Sequence, residues 1–292
     1  MHLTKKPEGI LLGAHFSIAG GLHNAVLTAS EYACTALQMF TKNPTTWEER
    51  RLSAQDVQQF DLARKKSGIE SICSHASYLI NPASPDRNKY ERSQEALQHE
   101  LMRSSQLGIP NVVIHPGAHM GTGEKKGLQR IAQCINRAFE KVPEARCRLL
   151  LETTAGQGSN LGCRFEQLAA IYHMIEEKDM VGFCFDTCHV FAAGYDLRKK
   201  NTYEQTIRDF DEVIGLELLR VIHVNDSKKG LGSRVDRHEH IGKGAIGINA
   251  FRFIMNDPRL KAVPKILETP KKDGLTDYDR LNLERLRALI SN

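Results

Sequence analysis

The sequence predicts a single (β/α)8 TIM barrel over residues 1–292, and three observations predict it. Eight short apolar runs alternate with helical patterns, with no linker, low-complexity tract or compositional break between them. The runs are continuously apolar, as parallel strands covered on both faces are. Acid or imidazole side chains close the runs in phase. His15 ends the first, and from His75 onward His115, Glu152, Asp186, His223 and Glu268 follow at intervals of 40, 37, 34, 37 and 45 residues, about one unit each. A doubly wound open sheet is the alternative. Its glycine fingerprint after the first strand is missing, and Gly121-Thr122-Gly123 is too short a match to supply it.

The elements follow in order. A strand over 10–15 is closed by Ser17-Ile18-Ala19-Gly20-Gly21, and helical spacing runs over 22–32. The second strand, 35–40, ends in Thr41-Lys42-Asn43-Pro44. Ser53 is placed to cap a helix to Lys66, which Gly68 stops. The third strand, 69–75, leads through a turn-rich loop into an amphipathic helix over 88–107. The fourth, 112–115, precedes a helix over 124–141, and the fifth, 148–152, a helix over 165–177. The sixth, 181–186, is followed by a helix near 203–214, and the seventh, 218–224, by a short helix over 248–255. The eighth, 264–268, and a helix over 278–290 close the pattern.

Composition bounds the class. Apolar residues make up 41% of the chain and charged residues 26%, as in soluble globular proteins. The net charge of +5 does not by itself call for a polyanionic partner. The seven cysteines are odd in number and form no CxxC pair, which reads as reduced, mostly buried thiols in a cytoplasmic protein. No apolar run is long enough to span a bilayer, and no leader follows the N-terminal lysines. The expectation is a monomer with no membrane association and no nucleotide cofactor.

The densest chemistry lies over 218–247. An apolar strand ends in His223, Asn225 and Asp226, and a Lys/Gly/Ser loop leads to Asp236, His238, Glu239 and His240. On an extended segment Asp236 and His238 point to one side. His189 lies three residues past Asp186. Singly, each of these residues reads as structural. As a set they read as ligands, because polar groups ending buried strands are costly unless paired or bound to an ion. Ligands from at least six units are too many for one tetrahedral zinc, so the set points to a multi-metal site.

The motifs GAHFSIAGG (13–21), FTKNPTTW (40–47), SHASYLINPASP (74–85), VIHPGAH (113–119), LETTAGQGSNLG (151–162), FDTCHVFAAGYD (185–196), HVNDSKKGLGSRVDRHEHIGKGAIG (223–247) and ILETP (266–270) run over nearly the whole chain. Together they resemble the endonuclease IV family of zinc-dependent apurinic/apyrimidinic endonucleases. The resemblance implies a (β/α)8 barrel with three zinc ions. It implies that His75, His115 and Glu152 hold one, that Glu152 bridges to a second held also by Asp186, His223 and Glu268, and that His189, Asp236 and His238 hold the third. His15, Ser17, Lys42, Asn43, Tyr78, Asn225 and Lys243 are implied near the DNA. The implied reaction is hydrolysis of the phosphodiester 5′ to an abasic site in duplex DNA, leaving a 3′-hydroxyl and a 5′-deoxyribose phosphate, with 3′-end cleaning as a further activity. Glu152 and Glu268 are the implied catalytic carboxylates.

One position departs from the family. Thr45 stands where many members carry an arginine that wedges into the duplex, which bears on how strongly the DNA is opened. Lys-Lys pairs at 125–126, 199–200, 228–229 and 271–272 all follow strand ends, where they could track phosphates. A sugar isomerase or epimerase on the same barrel, and a non-catalytic binder of damaged DNA, are the rival functions.

Overall fold

The barrel is built from strands of four to six residues, with a shorter one at its seam. In the computed structural model, which describes residues 9–273 and 276–291, they are β1 (Leu12–Phe16), β2 (Ala36–Phe40), β3 (Ser71–His75), β4 (Asn111–Ile114), β5 (Arg148–Glu152), β6 (Val181–Asp186), β7 (Leu219–His223) and β8 (Lys265–Leu267). Each pairs in parallel with its neighbours, and β8 pairs with both β7 and β1, so the sheet closes. The fold class is the expected one. The segment 1–8, on which the expectation of no leader rests, lies outside the described residues, as does the side chain of Lys272.

Strand periodicity sorts the side chains into an outer core and a lumen. The outer core packs strands against the helices α1 (Leu22–Glu31), α2 (Ala54–Ser67), α3 (Arg87–Gln106), α4 (Glu124–Lys141) and α5 (Phe165–His173). It continues under α6 (Thr187–Ala193), α7 (Lys200–Val213), α8 (Ile248–Asn256) and α9 (Tyr278–Arg287). The lumen carries a separate apolar layer of Ala36, Cys73, Val113, Leu150, Cys184, Val221 and Ile266, one from each of seven strands. The remaining strand, β1, supplies Gly13 at this level. A Cβ there would meet the Ala36 carbonyl oxygen at 1.7 Å, so only glycine lets the two strands pair so closely.

Local signals account for the helix ends. Ser53 and Asp56 form a reciprocal capping box on α2, and Gly68 ends it in the left-handed conformation at φ 67°. Three expected boundaries shift. The helix expected over 165–177 stops at His173, where Asn136 of α4 binds the Met174 carbonyl and the Glu176 amide and takes over the hydrogen bonds. The closing helix ends at Arg287 rather than 290. The helix placed near 203–214 begins at Lys200, and the two-turn α6 precedes it where the sequence showed only a strand end.

Candidate metal centre

The strand period carries the chain from the apolar layer to the site in one step. Two residues beyond Ala36, Cys73, Val113, Leu150, Cys184, Val221 and Ile266 stand Gln38, His75, His115, Glu152, Asp186, His223 and Glu268, and two beyond Gly13 stands His15. Residues two apart on a strand share a face, so these eight crown the apolar plug at the C-terminal mouth of the barrel. Seven of them are the strand-end groups singled out from sequence. Gln38 is the eighth, and sequence reasoning passed over it because it lies inside an apolar run.

Glu152 sits at the centre, wholly buried. One carboxylate oxygen lies 3.1 Å from His75 Nε2 and 3.0 Å from His115 Nε2, the other 2.9 Å from His223 Nδ1. His223 Nδ1 is also 3.1 Å from Glu268 and 3.8 Å from Asp186. Asp186 does two jobs. One oxygen caps α6 by accepting the His189 amide at 2.8 Å, which turns the His189 ring into the site one helical turn later. A two-stranded hairpin, Asp226–Ser227 with His238–Glu239, brings in the rest. His189 Nε2 lies 3.1 Å from Asp236, and His238 Nε2 lies 3.5 Å from the same carboxylate. Asp236 and His238 do face one side.

The hairpin has its own scaffold. The buried Asp226 carboxylate accepts the amides of Ser227, Gly242, Gly244 and Ile246 at 2.8–3.0 Å, folding the glycine-spaced segment around itself. A Cβ on Gly244 would meet that carboxylate at 2.5 Å. Asn282 of α9, wholly buried, accepts the Ile241 amide and donates to His240 and to Thr269 beside Glu268. Nothing in local sequence marks Asp226 or Asn282 as braces, since most of their partners lie on other segments.

The donor set fits metal ions. Ligand atoms of His75, His115 and Glu152, those of Glu152, Asp186, His223 and Glu268, and those of His189, Asp236 and His238 each lie within 4.8 Å of one another. His189 Nε2 and His238 Nε2 are buried with no hydrogen-bond partner among the described residues, although carboxylates stand close by. That is how co-ligands are disposed around a common cation. The other ring nitrogen of His75, His189, His238 and His223 is held by Ala76 O, Thr153 O, Glu268 O and Gln38 Oε1 at 2.7–3.2 Å, the outer contacts that orient ligating imidazoles. Cys184 and Cys188 also approach the set. Burial pushes the Cys188 thiol up to about 12 and holds the Cys184 thiol well above its ordinary range, so neither offers a thiolate near neutral pH.

Electrostatics separates His15 from the rest. Burial disfavours charge on His223, but Glu268 and Glu152 outweigh it and push the imidazole up to about 9. The same balance raises His75 through Glu152 and His189 through Asp186 and Asp236. Glu152 and Glu268 are held well below the carboxylate range by the facing histidines, against the burial that opposes it. His15 goes the other way, down to about 4, because burial there exceeds the pull of Glu268.

The expected DNA-side residues divide. Asn225 is buried and joins two acids, donating to Asp186 at 2.6 Å and accepting the Glu268 amide at 2.8 Å. Tyr78 is 66% exposed at the mouth, its ring edge-on to Phe40. Ser17, Asn43 and Lys243 lie exposed on flanking loops. Ser17 accepts the Ala19 amide, and Asn43 accepts both the amide and hydroxyl of Thr45. Lys42 is buried, with its ammonium on Thr46 O at 2.9 Å and 3.4 Å from Glu49.

The comparisons agree with this architecture. A family model described as a Xylose isomerase-like TIM barrel matches residues 26–289. Probable endonuclease 4 of Geobacter sp. (strain M21) is 47% identical over 280 residues, covering 96% of this chain and 99% of that one. This chain belongs to the endonuclease IV family. The crystal structure of endonuclease IV from Thermus thermophilus superposes with a TM-score of 0.85 at 37% identity, covering 95% of this chain and 98% of that chain. D-psicose 3-epimerase from Clostridium cellulolyticum H10 shares only the fold, with a TM-score of 0.68 at 12% identity over 96% of each chain. Membership of the endonuclease IV family makes the chain a nuclease, a hydrolase that uses metal.

Proposed function

We propose that this member of the endonuclease IV family repairs DNA by hydrolysing the phosphodiester 5′ to abasic sites in duplex DNA, with three zinc ions per chain. The product ends are a 3′-hydroxyl and a 5′-deoxyribose phosphate, and 3′-blocked ends are secondary substrates. The observation that carries the reading is the crown of strand-end acids and imidazoles, joined by two buried imidazole nitrogens that no protein group satisfies among the described residues. His75, His115 and Glu152 would hold one ion, Glu152, Asp186, His223 and Glu268 a second, and His189, Asp236 and His238 the third. Zinc in such a set supplies an acidified water near neutral pH and positive charge against the phosphate.

The remaining work falls to the chain. Glu268 is held by Gln38 and by the bond from its amide to Asn225, and it orients the attacking water. His15 is neutral at physiological pH and offers the phosphate a hydrogen bond without trapping it as an ion pair. Lys243, Asn43 and Ser17 line the approach, and the exposed Tyr78 ring is placed to stack on bases. An abasic nucleotide has no base to unpair, so rotating it into the mouth costs little, and a mouth too narrow for a base selects the lesion. Among the Lys-Lys pairs, Lys200 is already tied to Glu204 at 2.7 Å and Lys271 to Asp279 at 3.0 Å, which leaves 125–126 and 228–229 freer to meet phosphates. The protein acts as a cytoplasmic monomer without a nucleotide cofactor.

The test is incision of a labelled duplex bearing one tetrahydrofuran abasic analogue, which cannot undergo β-elimination. A single cut 5′ to the analogue, lost on chelation and regained with zinc, is expected. A folded, zinc-loaded protein that leaves the duplex intact would sink the reading.

A further inference from the structure

Seven members of the crown have a role in the proposed activity, and the eighth is an uncharged amide. Gln38 is wholly buried on β2. Its Nε2 lies 2.5 Å from Glu268 Oε1 and 3.0 Å from His15 Nδ1. Its Oε1 lies 2.8 Å from His223 Nε2 and 3.4 Å from the Cys73 sulfur. One side chain thus touches three members of the crown, each from the next strand or across the mouth.

The chemistry of these contacts leaves a single assignment. Ionised Glu268 can only accept, so the amide nitrogen must face it. The amide oxygen then faces His223, whose Nε2 must carry a hydrogen. His223 Nδ1 is thereby the nitrogen turned toward Glu152, Glu268 Oε2 and Asp186. The second amide hydrogen points at His15 Nδ1, which must be bare, so the neutral His15 proton sits on Nε2. That nitrogen is buried and has no partner among the described residues, which leaves it a free donor.

We propose that Gln38 is the positioning residue of this centre. It fixes His223 as the Nε2–H tautomer with Nδ1 free for a cation, turns Glu268 so that Oε2 faces the same point, and makes His15 a hydrogen-bond donor at Nε2. The proposal rests on the metal reading of His223 and Glu268. Outer contacts of this kind typically govern metal affinity or activity by about 10- to 100-fold.

The experiment uses full-length protein labelled with 15N-histidine, wild type and Gln38→Met, which keeps the volume but removes every hydrogen bond. Thermal unfolding first confirms that the variant is folded. Gln38→Leu serves if Gln38→Met is not. Ring correlations in the zinc-loaded wild type are expected to show hydrogen on Nε2 of both His223 and His15, and the His223 signal should persist without zinc. In the variant the His15 tautomer bias should be lost, zinc affinity should fall about 10- to 100-fold, and kcat should fall by about tenfold or more with KM little changed. A wild-type His223 protonated at Nδ1 instead of Nε2 would overturn the proposal. So would a variant with unchanged zinc affinity and unchanged tautomers. A wild type that shows both Nε2 signals but binds no zinc would defeat the metal reading while supporting the orientation by Gln38.

Discussion

The two halves of the candidate metal centre are built differently. His75, His115, Glu152, Asp186, His223 and Glu268 come from strand ends, and the parallel register sets their spacing. Asp186 and His223 are direct partners across β6 and β7, and Glu152 and His223 are fully buried. His189, Asp236 and His238 come from a two-turn helix, a loop and a two-residue strand, and the Asp236 side chain is 41% exposed. The barrel positions the first group directly on its strands, with only Gln38 and Asn225 as side-chain supports between them. The second depends on added braces: Asp186 capping α6, Asp226 gathering four amides, and Asn282 reaching in from α9. A closed sheet can thus supply a rigid ligand set directly, whereas a ligand outside it needs a scaffold of its own.

The contrast predicts effects of decreasing size. Glu152→Gln removes charge from the shared carboxylate of the rigid half. With several kcal/mol of phosphate stabilisation at stake and about 1.4 kcal/mol per factor of ten, kcat/KM on the tetrahydrofuran duplex should fall about a thousandfold or more. Activity above a tenth of wild type would mean the strand-borne half is not the chemical centre. Asp236→Ala strikes the braced half. It should cost one zinc by elemental analysis and about a hundredfold in kcat/KM, leaving the other ions in place. Equal loss of all metal in both variants would show that the halves are not separable.

Protons come next. His223 in the metal-free protein is raised from 6.5 to about 9, so its stabilising contribution is full below 6.5 and is lost as pH climbs through 9. Lys265, drawn down to about 8 by burial, contributes with the opposite sign above that pH. Between pH 6.5 and 8 the metal-free protein should therefore become less stable as pH rises, and His223→Gln should flatten the slope. Zinc must displace the same proton, so zinc affinity should rise with pH over that window. Thermal melts with and without zinc should diverge in slope. The smallest effect belongs to a brace. Asn282→Ala strands the Ile241 amide and should cost about 1–3 kcal/mol in urea unfolding, with faster chelation of the hairpin-borne zinc than of the others.

The same division decided what could be read from sequence. The strand-borne members of the candidate site announce themselves, because each closes an apolar run and the runs recur at one unit. Asp236 and His238 were legible through their two-residue spacing, and His189 through its distance from Asp186. Gln38 obeys the same period but was hidden by its apolar neighbours. Counting two residues on from the lumen layer would have found it. The bracing roles of Asp226 and Asn282 left no signal, since most of their partners lie on distant segments and any local pattern is silent about those. The burial of Lys42 was equally unreadable, because its partner Glu49 lies on a loop whose path the sequence does not dictate.

The seam between β8 and β1 sets an order of events during synthesis. Strands emerge from the ribosome one after another, but the ring cannot shut until Lys265–Leu267 is available to lie between β7 and β1. Glu268, the residue after that strand, arrives last among the candidate ligands. A nascent chain therefore carries most of the proposed site without its final carboxylate or its closed wall. The contact that completes the architecture is thus also the one that brings the last member of the crown into place.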